Sequence, residues 1–366
     1  MFGSFEMDQA KMGGCHITSV HLSYIDLWTA LLFILSPLSV QYKQTLPIVF
    51  SPSGRNTVSC IMVLHPHISF SYFRYYLVDS PCIGSVVMKY IKMFWIDFKN
   101  GILKNVLLFL CPMILAVFAF WDAWNRIHGV KEINLSLSAY GDYWFYVYGG
   151  MQKYVPGPGN TFQVPIIWMV VFILPAFLLL NYPVKDMQHM GTQMMVRIGG
   201  RTRWWLSKCM WNVLATVLYH VLLAGILLGL CFVFDIPLSS RIHVELLGML
   251  FNLFGGNTLL PREMIPTVIF FIPILCSVAF NLLQMTLCLF IKPIFSFFVT
   301  AVLLVSSAYL LSPYILGNYA MPLRYSWIFE GGVSFQVGIV ASVLLAVVAV
   351  IIGMMRFRKY EILNRD

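Results

Sequence analysis

The chain has 366 residues, of which 59% are hydrophobic and only 11% are charged, and its mean hydropathy is +0.79. Because soluble domains carry about a quarter charged residues, this composition excludes a soluble globular protein and predicts several spanning helices of roughly 20 residues each. The formal net charge of +9 comes from cations that stand beside apolar segments. That placement favours a role in membrane orientation over nucleic-acid binding.

The first 87 residues differ from the rest of the chain. They are rich in serine and in turn-forming proline, and their apolar run Leu27–Leu38 is too short to span a membrane. The run also lacks a basic flank, so a cleavable secretory signal is not expected. We predict that residues 1–87 are either poorly ordered or precede the natural first residue, which would then be Met88 or Met93.

An interfacial helix is predicted at Met88–Gly101, which reads MKYIKMFWIDFKNG. Lys89, Lys92 and Lys99 alternate there with methionine and aromatic side chains such as Trp95. Cations interleaved with apolar rings are typical of an amphipathic helix that lies in the headgroup layer.

Six apolar segments without Asp, Glu, Lys or Arg are long enough to cross a bilayer. We therefore predict an all-α fold, a polytopic membrane protein with six transmembrane helices. With both termini inside, 14 Lys and Arg of residues 88–366 face the cytoplasm and 6 face outward, as the positive-inside rule requires. The expected location is a cell membrane. The predicted spans are Asn105–Trp121, Gln163–Leu180, Cys209–Phe234, Ile265–Phe290, Ile294–Leu311 and Phe335–Met355.

The predicted outer loop Asp122–Thr161, between the first two spans, is rich in tyrosine and tryptophan. Such side chains favour the outer headgroup belt. The alternative is a lid or a contact surface for exported cargo.

Catalytic and metal-binding signatures are absent from the sequence. It contains no HExxH, no GxSxG and no phosphate-binding GxxxxGK[ST] loop, and none of its eight cysteines forms a CxxC pair. His220 is the only histidine in a predicted span, and we interpret it as a packing residue rather than a proton relay. We therefore expect no enzyme activity and no cofactor in this chain.

A basic connector joins the second and third predicted spans. Residues Asp186–Trp211 read DMQHMGTQMMVRIGGRTRWWLSKCMW, in which Arg197, Arg201, Arg203 and Lys208 stand among methionine and tryptophan. Such a segment can dock a soluble partner while it rests among lipid headgroups. An ordinary positive-inside anchor is the alternative.

From Met88 to Asp366 the chain resembles the permease subunits of bacterial type-2 ABC exporters, in particular those associated with peptide, bacteriocin or lantibiotic export and immunity. The resemblance is based on the interfacial helix, six spans with both ends inside and the large loop after the first span. It is also based on VRIGGRTRWWLSKCMW and on GNYAMPLR at Gly317–Arg324, which matches an N-Y-x-M-x-x-R pattern.

This resemblance implies a membrane subunit without ATPase activity. ATP and Mg would bind to a separate cytosolic ABC ATPase, and a second permease copy or a homologous permease would complete the membrane unit. The connector would contact the ATPase, the interfacial helix would lie nearby, and GNYAMPLR would lie near the outer exit, unless it is a turn that caps two helices. The implied residues are Met194, Arg197, Arg201, Arg203 and Trp204 for coupling, Lys89, Trp95 and Lys99 on the interfacial helix, and Asn318, Tyr319 and Arg324 at the exit.

Two other function classes are compatible with the sequence. One is a structural or sensory membrane protein that uses the connector as an anchor. The other is an intramembrane enzyme, which would require paired polar catalytic groups at membrane depth.

Overall fold

A computed structural model describes residues 81–129, 138–157, 161–188, 191, 195, 200–251, 270–328 and 330–359. The chain divides into two units, Met1–Val86 and Val87–Asp366, and the fold below is that of the second. The predictions for residues 1–80 lie outside the described residues.

The described residues of this unit are helical, and they contain no β-strand. Short 3-10 turns at Leu316–Ala320 and Pro322–Arg324 precede the last helix. The α-helices, with one π-helical segment at Phe98–Leu103 after the first, are α1 (Pro81–Asp97), α2 (Val106–Gly129), α3 (Tyr140–Tyr148), α4 (Ile166–Leu179), α5 (Tyr182–Gln188), α6 (Arg201–Val233), α7 (Val244–Phe251), α8 (Ile272–Leu287), α9 (Pro293–Tyr309) and α10 (Phe335–Arg358).

Four helical segments are long and apolar enough to cross a membrane, which confirms four of the predicted spans. They are Val106–Gly129, Ile166–Met187, Arg201–Val233 and Phe335–Arg358. The other two predicted spans contain the shorter apolar helices α8 and α9, of 16 and 17 residues. At 1.5 Å per residue each is roughly 25 Å long, less than the bilayer core of about 30 Å.

The bundle exposes apolar side chains and buries polar ones. Phe118 on α2, Val302 on α9 and Val340 on α10 are each at least 60% exposed. Asn212, Thr216 and several other polar side chains are buried between the helices. Because soluble proteins have the opposite arrangement, this is a membrane-embedded protein with a lipid-facing apolar surface.

A helix is present where the interfacial helix was predicted: it is α1, and the π-helical segment extends it. Its position in the headgroup layer stays a prediction. Met93 and Asp97 lie one turn apart on its buried side, whereas Met88, Ile91 and Trp95 are exposed. Helix α1 therefore exposes large apolar side chains and buries the carboxylate of Asp97.

The aromatic loop contains a buried helix, and its rings do not form a surface belt. In α3 every side chain from Tyr143 to Tyr148 is at most 8% exposed. The Tyr140 N–H donates to the Pro237 carbonyl beyond the end of α6, and the Tyr148 Oη lies 3.0 Å from His220 Nδ1 near the middle of α6. Helix α3 therefore enters the bundle alongside α6, and the belt interpretation was wrong for these rings.

Candidate functional site at the connector end of the bundle

Three charged side chains meet where α1, α5 and α6 come together. The Lys208 Nζ donates to Asp97 Oδ1 and lies 2.7 Å from Asp186 Oδ2. The side chains of Lys208, Asp97 and Asp186 are 1%, 3% and 15% exposed. We call these three residues the ion cluster.

Neutral donors complete the ion cluster. The Tyr182 Oη donates to Asp97 Oδ1 at 3.1 Å, and the Ser207 Oγ donates to Asp97 Oδ2 at 2.6 Å. The Trp204 Nε1 donates to Asp186 Oδ2 at 3.2 Å. The Lys208 ammonium also lies 4.8 Å from the Tyr182 ring centre and 5.1 Å from the Trp204 ring centre, an arrangement that stabilises a desolvated cation. The cluster therefore fastens the connector to the interfacial helix.

Tryptophan side chains attach the same region to the last helix. The Trp204 ring stacks on Phe357, with 4.8 Å between centroids and 15° between planes. The Trp205 Nε1 donates to the Val350 carbonyl at 3.0 Å. Trp204 and Trp205 share a buried apolar cluster with Met93 of α1. The connector is therefore packed against both α1 and α10.

The predicted coupling residues divide into surface and buried groups. Met194 and Arg197 lie outside the described residues. Arg201 is exposed, and its Nη1 donates to the Arg358 carbonyl at 2.8 Å, whereas Arg203 is half-buried. Trp204 is only 2% exposed, so in this structure it positions the connector and does not offer a contact surface.

The predicted residues of the interfacial helix lie near this end of the bundle. Trp95 is 58% exposed and stacks on Phe98, and Lys99 is exposed. Lys89 belongs to α1, but its side chain is outside what the structure describes.

Arg324, from the predicted exit group, is completely buried. Its guanidinium donates to the carbonyls of Ser307 and Ala308 in the last turn of α9, and to the Leu310 carbonyl just after it. It also donates to the Asn318 Oδ1 and, from Nε at 2.9 Å and Nη2 at 3.2 Å, to the carbonyls of Met151 and Gln152. A helix C-terminus leaves such carbonyls without partners, so Arg324 caps α9.

The neighbours of Arg324 hold the same turn in place. The Asn318 Nδ2 donates to the carbonyls of Leu310 and Ser312, each at 3.0 Å, and the Tyr319 Oη donates to the Pro313 carbonyl at 2.8 Å. Burial lowers the pKa of Arg324 to about 10, which keeps the group charged at neutral pH. The three residues therefore form a helix-capping turn, the alternative that the sequence left open, and a role at an exit stays a prediction.

Comparisons with known proteins assign no family. No protein-family model and no curated protein sequence matches this chain. The described residues also contain no group of three or more His, Cys, Asp and Glu that could hold a metal ion.

A row of buried polar residues on α6 was not predicted from the sequence. Lys208, Asn212, Thr216 and His220 recur at every fourth position of α6, and all are at most 2% exposed. Residues four apart share one face of a helix. This spacing is visible in the sequence, and it would have predicted that Lys208 faces the interior.

A second carboxylate joins the loops at the opposite end of the bundle. The Asp142 Oδ2 accepts the Ala139 N–H at 2.9 Å, and its Oδ1 accepts the His243 N–H at 2.7 Å. The His243 Nδ1 is 2.8 Å from Asp142 Oδ2. Burial raises the pKa of the Asp142 carboxyl above its usual value, and the hydrogen bonds from His243 and Ala139 oppose part of that rise.

We expect Asp142→Asn to lower the melting temperature, because both carboxyl oxygens can accept a hydrogen bond, whether the group is ionised or protonated, whereas an amide has only one acceptor oxygen. A buried donor without an acceptor costs about 1–3 kcal/mol. Since the folded-state pKa is raised, protonation of Asp142 adds stability that is fully present below the unfolded-state pKa and lost as the pH rises through the folded value. The difference in Tm between wild type and variant should therefore shrink as pH rises from about 4 to about 7. A difference that is constant or grows would contradict this assignment.

Proposed function

We propose that this chain is the permease subunit of an ABC exporter, and that a separate cytosolic ATPase drives it through the basic connector. In this proposal α8 and α9 also cross the membrane, which makes six spans, and both termini face the cytoplasm of a bacterial cell. The exported molecule would be a peptide or another amphipathic or lipid-linked compound. A second copy, or a homologous permease, would provide the other half of the membrane unit.

The ion cluster is the observation that carries this proposal. An anchor needs only positive charge near the headgroups, whereas this connector is bonded to α1 through Asp97 and packed on α10 through Phe357. A segment connected in this way can pass a displacement to helices at both ends of the chain. Rigid-body switching of packed elements is a common form of such coupling.

The exposed position of Arg201 supports the same proposal. Arg201 lies at the surface of α6, one turn from Trp204, where an acidic partner could reach it. The six predicted spans contain no Asp or Glu, and ion-coupled carriers usually keep such a group within the bilayer. The absence of Asp and Glu from the spans is therefore consistent with a transporter that takes its energy from a separate subunit.

Affinity purification in mild detergent tests the proposal. We expect a roughly stoichiometric ATPase to co-purify with the wild-type chain and to be lost from the Arg201→Glu/Arg203→Glu variant, because like charges repel at an acidic docking surface. The control is Lys153→Glu, which reverses an exposed cation in the loop between α3 and α4 and should retain the ATPase. Gel filtration checks that all three proteins are folded.

Three results would contradict the proposal or part of it. Retention of the ATPase after the double charge reversal would exclude the connector contact. Purification without any ATPase would favour a structural or sensory membrane protein, and product formation by the isolated chain without nucleotide would indicate an intramembrane enzyme.

A further inference from the structure

Helix α8 lies at the centre of the bundle, but it is not enclosed on all sides. It packs against α4, α6, α9 and α10. These neighbours also pack on one another around it, α9 on α4, α4 on α6 and α6 on α10. The described residues of α9 and α10, in contrast, are barely in contact with each other. The ring of helices around α8 is therefore open between α9 and α10.

The exposure of α8 shows the same opening. Leu283, Leu287 and Phe290 follow one another at intervals of four and three residues, which places them on one side of the helix. The two leucines are half-buried and Phe290 is 52% exposed. Gln284 and Thr286, which bond to α4 and α10, are buried. We call this opening the groove, and the side chains of Leu283, Leu287 and Phe290 form its floor.

Two contacts on α9 identify the residues of the first wall. The Ser296 Oγ donates to a carbonyl of α8 at 2.9 Å, and the Phe297 ring lies 5.6 Å from a phenylalanine ring of α4. Successive residues of a helix are about 100° apart, so Phe295 and Val299 lie on the side of Ser296 away from Phe297. Both are exposed, and they form the wall of the groove on α9.

The second wall follows from the contacts of α10. The Ser342 Oγ lies 3.2 Å from a cysteine sulfur of α8, and Phe357 packs on tryptophan rings of α6. Val348 and Ile352 lie on the side of Ser342 away from Phe357, by the same helical geometry. Both are exposed. They form the wall of the groove on α10.

The groove is closed at one end and open at the other. The 3-10 turn Leu316–Ala320 packs on α8, α9 and α10, and its Gly317 lies close to the Phe280 ring. From Phe280 to Phe290 the helix rises about 15 Å, which is half of a bilayer core of about 30 Å. The groove therefore has the depth of one leaflet.

Cations surround the open end of the groove. The Arg356 guanidinium lies over the Phe290 ring, 5.4 Å from its centre. Lys292 is exposed two residues after Phe290, and Lys359 is exposed one turn after Arg356. The Arg201 Nη1 donates to a carbonyl in the same last turn of α10, so this is the connector end of the bundle.

The two parts of the groove select its ligand. A soluble anion would leave the apolar floor and walls uncovered, and an uncharged apolar molecule would leave the cations unmatched. An anionic phospholipid has acyl chains for the first part and a phosphate for the second. Arginine and lysine bind phosphate through charge-assisted hydrogen bonds, and basic pockets between spanning helices recognise anionic headgroups.

We propose that the groove binds one anionic phospholipid from the leaflet at the connector end. Its acyl chains lie on Leu283 and Leu287 between α9 and α10, and its phosphate accepts hydrogen bonds from Lys292 and Arg356. Lys359 adds a third positive charge beside the headgroup. The bound lipid completes the ring of helices around α8. This site requires only that the protein is embedded in a membrane, so it does not depend on the proposed transport function.

Thermal unfolding of the purified full-length protein in mild detergent tests the site. The added compounds are dioleoyl phosphatidylglycerol, dioleoyl phosphatidylcholine with the same chains, and glycerol 3-phosphate without chains. We expect phosphatidylglycerol to raise Tm by roughly 3–6 °C at saturation. Phosphatidylcholine should need a concentration about tenfold higher or more for half of that rise, because its headgroup carries no net charge. Glycerol 3-phosphate should give no rise.

Three results of this experiment would overturn the proposal. Equal half-maximal concentrations for the two lipids would show apolar contact without headgroup recognition. A rise with glycerol 3-phosphate would indicate a site for a soluble anion. No rise with phosphatidylglycerol would show that the groove holds no lipid tightly.

Charge variants assign the headgroup contact. Lys292→Gln/Arg356→Gln should raise the half-maximal concentration of phosphatidylglycerol roughly tenfold or more, because each cation near an anionic lipid contributes about fivefold in affinity. Lys104→Gln/Lys185→Gln is the matched control, since it removes two exposed cations outside the groove, and it should keep the wild-type concentration. Equal loss in both double variants would show diffuse attraction to the surface and would overturn the site.

A bulky side chain tests the acyl-chain contact with every cation in place. Leu287→Trp fills the floor of the groove, so phosphatidylglycerol should bind more weakly. The control is Val117→Trp, which enlarges an exposed side chain of α2 away from the groove and should keep the wild-type affinity. Gel filtration checks folding, and the charge variants test the site independently because they alter only exposed side chains. Wild-type affinity in a folded Leu287→Trp protein would show that no acyl chain occupies the groove.

Discussion

Replacing Lys208 by methionine is expected to destabilise the protein by about 3–5 kcal/mol, because removing one partner of a buried pair leaves an uncompensated charge. Two carboxylates would lose their cation at once, since the ammonium bonds both Asp97 and Asp186. Tyr182, Ser207 and Trp204 would still donate to them. These neutral donors cannot cancel two like charges that lie close together.

The melting temperature and the fraction of monodisperse protein after gel filtration measure this loss. Lys92→Met is the matched control, because Lys92 is an exposed cation of α1 and exposed charges contribute about 0–1 kcal/mol. The triple variant Lys208→Met/Asp97→Asn/Asp186→Asn should regain most of the stability, since neutral partners remove the uncompensated charge. A Lys208→Met protein with wild-type Tm would show that water satisfies both carboxylates, and the ion cluster would then not hold the connector.

The spanning helices were the most predictable part of the fold. Apolar runs without charge predict them because the bilayer penalises every exposed charge and every unpaired backbone group. The ends of these helices were less predictable. Helix α6 begins at Arg201, well before the predicted start at Cys209. The predicted boundary followed hydropathy, whereas the helix continues into the connector because Trp204, Trp205 and Lys208 are buried there by α1, α5 and α10.

The ion cluster could not be predicted from local sequence. Asp97 and Lys208 are 111 positions apart. The charges of the two segments were explained by the interfacial helix and by the positive-inside rule, so neither residue called for a partner. The informative signal was Lys208 itself, which begins the every-fourth-residue row that continues through Asn212 and Thr216. A cation on the buried face of a helix requires an anionic partner, and Asp97 is the one acid within the predicted interfacial helix.

The position of the aromatic loop also depended on tertiary packing. Tyrosine and tryptophan suit both a headgroup belt and a packed core that offers hydrogen-bond partners. In α3 the Tyr140 Oη donates to the Ala224 carbonyl at 3.4 Å, and the Tyr148 Oη pairs with His220. His220 is therefore a hydrogen-bonded packing residue in this structure, as the sequence indicated.

Replacing Arg324 is expected to cause the second large loss of stability. In Arg324→Ala the carbonyls of Ser307 and Ala308 lose their side-chain donor together, whereas the Leu310 carbonyl keeps the Asn318 Nδ2. Each buried acceptor without a partner costs about 1–3 kcal/mol. A cavity of guanidinium size adds to that cost. Arg324→Lys should fall between wild type and alanine, because an ammonium has three donors and lacks the planar fork of five.

Arg241→Ala serves as the control for Arg324, because Arg241 is exposed in the loop between α6 and α7. We expect Tm to fall in the order wild type, Arg324→Lys, Arg324→Ala, with the Arg241 variant close to wild type. This series separates a cap from a residue that only lines an exit. A lining residue can be replaced with little loss of stability, whereas the cap of α9 cannot, because its six acceptors are carbonyl and amide oxygens of the protein itself. Wild-type Tm in Arg324→Ala would therefore contradict the capping role.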